Sequence, residues 1–203
     1  MTQNAENLTA IKSKTLEIMT ELRKHEEKLK NLQNMADMKI YDMNHILELR
    51  DNENTRFYNV DANLRGELKQ RIDNLFDNLA ESKANISAPA FSNALSLIGM
   101  LGSEMDAKTL NDLITNFRGK IAELNILKKA CVSANVGNCI AIFDDYVIGD
   151  DYREVMKRQT SNLLVFAHSF GIVAEILGEE IRIDAETVSA DAGRAFSNNK
   201  MVL

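Results

Sequence analysis

Along the first third of the chain, apolar residues recur at alternating steps of three and four. The series Leu8, Ile11, Ile18, Leu22, Leu29, Leu32, Ala36, Met43, Ile46, Phe57, Val60 and Leu64 marks the pattern. A 3.5-residue repeat holds one apolar edge of a helix against a neighbouring helix, whose side chains receive each residue between them. The spacing therefore predicts a long coiled-coil-like helix or helical hairpin. Its helix-association seam is Leu8, Ile11, Ile18, Leu22, Leu29, Leu32, Met43, Ile46, Phe57, Val60 and Leu64. Beyond Leu64 the frame slips to Leu68, Ile72, Leu75 and Leu79. Consecutive four-residue steps relax a left-handed supercoil and suit packing against a globular part.

Thr15, His25, Lys39, Arg50 and Glu53 interrupt the seam, and Asp51-Asn52-Glu53-Asn54 is its most polar run. A reversal of the chain is expected at 51–54 if there is one. No Gly or Pro lies between Met1 and Arg65, so the turn would rest on Asp and Asn, whose side chains bond to nearby backbone. The absence of glycine favours an unbroken or bent helix, which over about 75 residues at 1.5 Å would reach roughly 110 Å. Met35, Met38, Ile40, Leu47 and Leu49 widen the stripe beyond what one partner helix can cover.

Further on, Pro89 lacks an amide hydrogen and suits the first turn of a new helix, so Ser87-Ala88-Pro89 closes the long segment. Ala90 to Leu101 carries no charge and reads as a core helix ended by Gly102; it is too short to span about 30 Å of hydrocarbon. Ser103 or Asp106 caps the next helix. Its apolar side is Leu110, Leu113, Ile114, Phe117, Ile121, Leu124, Leu127 and Cys131, and Asn135 to Asn138 stops it. Cys139 to Ile148 is expected to be a short helix. After Gly149, one last helix runs from Asp150 or Asp151 to Gly178, and Leu163 to Leu177 is apolar enough to be central to a C-terminal bundle. The expected division is an extended helical region at 1–86, a helical bundle at 87–183, and a loosely docked helix or tail at 184–203.

Composition narrows the class. The 203 residues are 45% hydrophobic and 27% charged, enough to bury a core. One Pro, nine Gly and few aromatics weigh against sheets, so the fold class is all-α. The net charge of −6 is spread along the chain, and the nearest approach to a basic cluster, Arg23 to Lys30, contains Glu26 and Glu27. A phosphate backbone needs clustered cations, so nucleic acid is an unfavoured partner. Residues 1–6 are polar and no apolar leader run follows, which makes cytoplasmic residence the expectation; leaderless export leaves the same signature.

Candidate chemistry is sparse. Cys131 and Cys139, eight residues apart, fit no zinc or CxxC spacing, and their apolar neighbours point to buried free thiols. Asp144, Asp145, Asp150 and Asp151 gather carboxylate oxygens, but the order of a calcium loop is missing and helix capping accounts for the later pair. None of the three histidines follows a Glu by three, as a di-iron bundle requires. His25 falls on the seam, His45 on a helix flank, and His168 is expected as a hydrogen-bonded core residue. No Walker, dinucleotide, HExxH or GxSxG motif is present. No catalytic, cofactor or metal residues are assigned.

These readings point to a non-catalytic assembly or adaptor protein that associates with itself, as a homo-oligomer, or with a helical partner. The alternative is a membrane-active helical protein, of pore-forming or translocator type, that shelters the apolar helix at 90–102.

Overall fold

The computed structural model describes residues 2–148, 150–184 and 188. Eight α-helices are present among them and no strands: α1 (Gln3–Asp37), α2 (Met43–Glu81), α3 (Pro89–Leu101), α4 (Ala107–Thr115), α5 (Ile121–Ser133), α6 (Cys139–Asp144), α7 (Asp150–Gln159) and α8 (Leu163–Ile176). The all-helical expectation is met, with α1 and α2 packed along one another as an antiparallel hairpin.

The reversal lies at 38–42, not 51–54, and the helix is neither unbroken nor merely bent. Its stop is a Schellman motif. Ile40 N–H donates to the Met35 carbonyl and Lys39 N–H to that of Ala36, with Lys39 in the left-handed region at φ 52°. Asp42 then caps α2, its carboxylate accepting from Asn44 N–H at 3.1 Å. The polar run 51–54 stays helical because Glu53 turns inward to cations of α1.

Two ends of the hairpin enter a common core with the shorter helices. From α1 it takes Leu8, Ile11, Ile18 and Met19; from α2, Leu64, Leu68, Ile72, Leu75, Phe76 and Leu79. The residues at which the 3.5-residue frame slips are thus those pressed against the rest of the protein. Ion pairs fix the same contact: Arg153 of α7 reaches Asp73 at 2.7 Å and Asp77 at 2.9 Å, and Lys157 reaches Asp73 at 3.1 Å. Burial alone would push the Asp73 carboxyl up, but Arg153 and Lys157 hold it below the usual carboxylate range.

Two expected helices are each divided. The stretch from Ala107 to Ser133 breaks at 116–120, because Gly119 adopts φ 76° and packs against the Leu177 carbonyl. Likewise the stretch from Asp150 breaks at 160–162, where Asn162 caps α8 through Val165 N–H at 3.3 Å. Pro89 opens α3 and Asp106 caps α4, accepting from Thr109 N–H at 2.7 Å. The segment at Cys139 is a helix of six residues. α8 buries Leu163, Phe166, Phe170, Val173 and Ile176 and ends at Gly178, also in the left-handed region. α3 buries one face, Phe91, Ala94 and Ile98, while Met100 is exposed. Gly149, and all of the expected terminal segment 184–203 except Asp184 and Val188, lie outside the described residues.

Two glycines give opposite expectations. Gly119→Ala forces a Cβ onto the Leu177 carbonyl oxygen at a positive φ, and is expected to lower unfolding free energy by roughly 2 kcal/mol or more. Gly66→Ala, in the middle of α2 with nothing near its missing Cβ, should raise it by about 0.5–1 kcal/mol. Urea denaturation of the two variants checks both signs.

Candidate interaction surface

Between Leu22 and Val60, no described residue belongs to the continuous core. Residues 23–59 therefore form an arm of two helices, about 22 Å long on its α1 side at 1.5 Å per residue. Ile46 and Phe57 are buried within it, Phe57 against the His25 ring of the facing helix, but neither belongs to the continuous core.

The arm's register is set by a charged knot. Glu53 of α2, 8% exposed, accepts from Lys28 Nζ at 2.9 Å and from Arg56 Nε and Nη2 at 2.9 and 2.7 Å; His25 Nδ1 stands 3.3 Å away. Arg56 reaches back to Glu21 at 3.4 Å, and the His25 ring lies flat on Phe57 with centroids 4.1 Å apart. Arg56 above all, then Lys28 and His25, hold the Glu53 carboxyl at about 2 against the desolvation that opposes them. Nearer the body, Lys14 bridges Glu17 at 2.5 Å and Glu67 at 2.7 Å, and both partners raise its ammonium above the usual value.

Toward the tip the two helices no longer cover each other. A groove of about 970 Å³ opens along one face, its floor formed by Leu29, Leu32, Ala36 and Ile46 and its rim by Arg23, Glu27, Lys30, Met43, Leu47 and Arg50. A second groove of about 280 Å³ is lined by Lys28, Asn31, Leu32, Met35, Leu49 and Glu53. Around the turn stand Met38 at 72% exposure, Met43 at 58%, Ile40 at 55%, Tyr41 at 49% and Leu47 at 47%.

The seam residues divide accordingly. Leu8, Ile11, Ile18, Ile46, Phe57 and Leu64 are buried, Leu22 and Val60 pack at the edge of the core, and Leu29 and Leu32 are half-buried. Met43 lies on the rim instead of the seam, because the turn at 38–42 restarts the helical phase. Sequence reasoning missed the loop residues as a group; Met38, Ile40 and Tyr41 clustered about Lys39, and the capping Asp42, were the available signals.

Elsewhere the candidate groups are dispersed. His168 is exposed on the outer side of α8, a correction to its expected core position. His45 is exposed beside Tyr41. Asp144 pairs with Lys128 at 2.8 Å and Asp145 ends α6. Cys131 and Cys139 are buried free thiols, and burial, then the neighbouring Cys139, pushes the Cys131 thiol up to about 11. Among the described residues no helix is long and apolar enough to cross a membrane. Compared with known proteins, the chain matches no family model, no curated protein and no solved structure.

The charged knot makes a pH-dependent prediction. Glu53 ionises more readily in the folded chain, at about 2, than at its ordinary 4.5, so its contribution is complete above pH 4.5 and is lost as pH falls toward 2. At neutral pH Glu53→Gln is expected to cost about 1–3 kcal/mol. Its stability difference from wild type should vanish as pH approaches 2, as followed by urea unfolding across that range.

Proposed function

We propose that the protein is a non-catalytic assembly or adaptor protein, which associates through its two-helix arm with a second copy of itself or with a helical partner. The observation that carries this reading is the exposure of apolar side chains along the arm, beyond the reach of the core. A groove between two helices fits a third, whose apolar residues at three- and four-residue spacing fill it. Covering an exposed Met or Leu fully is worth about 1.5–3 kcal/mol each, from which the cost of ordering the partners is deducted. The knot at Glu53 serves the same role by holding both helices in one register, so that the groove is preformed. Two buried cysteines kept as thiols fit a reducing compartment such as the cytoplasm.

Size-exclusion chromatography with light scattering tests the reading. A mass above that of the 22.8 kDa chain is expected, falling toward it as the protein is diluted. Leu47→Asp, which places a charge in the groove rim without touching the core, should lower the mass at equal concentration. A wild-type chain of 22.8 kDa at every concentration would remove the support for self-association.

A further inference from the structure

This inference rests on the proposed reading and assigns its partner and geometry. Leu16, Arg23, Glu27 and Lys30 follow one another by seven, four and three residues, so they share a stripe of α1. Leu47 and Tyr58, eleven apart, share a stripe of α2. Arg23, Glu27, Lys30, Met43 and Leu47 all line the larger groove. The face thus has exposed apolar residues at both ends, Met43 and Leu47 near the tip and Leu16 and Tyr58 near the base, with charges of both signs between. Tyr58 is 70% exposed and Leu16 38%.

We propose that this face binds the same face of a second copy of the chain, antiparallel, about a two-fold axis passing between Glu27 and Lys30. The register within the hairpin fixes the consequences. Across the hairpin Lys14 pairs with Glu67, Glu21 with Arg56, and both His25 and Lys28 with Glu53; taken over all of these contacts, the midpoint of Glu27 and Lys30 lies level with Arg50 and Asp51 on α2. Rotation about that axis sets Glu27 opposite the partner's Lys30, and Lys30 opposite the partner's Glu27. It brings Met43 level with the partner's Tyr58, and Tyr41 of the loop level with the partner's Leu16. Apolar tip meets apolar base at both ends, opposite charges meet in the middle, and the two bodies point away from each other. An isologous contact of this kind closes after two copies.

The area is consistent with a reversible dimer. Overlap from Met43 to Tyr58 spans about 24 Å, and two helices side by side are about 20 Å wide, giving on the order of 1,000 Å² over both partners. That is the low end for a specific interface, so the dimer is expected to dissociate on dilution.

A charge swap at the axis provides the test, read by light scattering and sedimentation equilibrium with helicity checked by circular dichroism. Glu27→Lys and Lys30→Glu, each alone, put like charges across the axis and should weaken dimerisation at least about tenfold. The double variant restores the pairing, and its dissociation constant should return to within about threefold of wild type. Independently, Met43→Cys combined with Tyr58→Cys should give a disulfide-linked dimer on oxidation with copper phenanthroline in air, whereas either substitution alone should not. An oligomer unmoved by the single reversals, and not cross-linked through 43 and 58, overturns this face while leaving self-association standing. A wild-type monomer at all concentrations overturns both.

Discussion

Two helices lying side by side can shield only the edge they turn toward each other. Everything distinctive about this fold follows from how the hairpin of α1 and α2 meets that limit. At its open end, α7, α5 and their neighbours are laid against it, and Leu68, Ile72 and Leu75 are fully buried. At its closed end no further helix is laid against it among the described residues, so Leu29 and Leu32 stay half-covered while Met38 and Met43 face outward. Hydrophobic burial thus fades along one pair of helices from base to tip.

Polar interactions take over where apolar ones fade. The Glu53 knot sits near the middle of the arm, and its carboxylate satisfies groups from both helices. Ionic contacts at partly wet positions add modest stability but impose strict geometry, because each carboxylate oxygen has a directed partner. A one-turn slip of α1 past α2 would separate Lys28 and His25 from Glu53 at once. The arm is therefore held in register by charge more than by packing, a division of labour that a purely apolar seam could not provide as selectively.

Much of this architecture was legible in the amino-acid order. The helical first third, the frame slip beyond Leu64, Pro89 at a helix start, Gly178 at a helix end and the buried cysteines all express local rules. The turn at 38–42 was not, because Lys39 occupies a left-handed position that glycine or asparagine would have announced, as Asn135 and Gly178 do in the same motif elsewhere. The break at Gly119 was masked by apolar residues that keep helical phase across it, Phe117 before and Ile121 after, and its cause is a distant carbonyl of Leu177. His168 was misplaced for a related reason: α8 is apolar nearly all round, so its outer side, with Leu164 and Val165 both around 40% exposed, left no mark in the sequence. Of the exposed apolar residues on the arm, those that widen the stripe were visible; their gathering at a tip required the turn.

The positions of the two cysteines carry one more consequence. Cys131 and Cys139 are enclosed in the body, on α5 and α6, and the arm from 23 to 59 has none. An alkylating reagent in solution therefore meets a thiolate only when the body itself opens, however often the arm's helices fray. The rate of thiol modification becomes an internal clock for opening of the body, blind to events at the tip, and it allows the durability of the two halves to be timed separately in one unmodified chain.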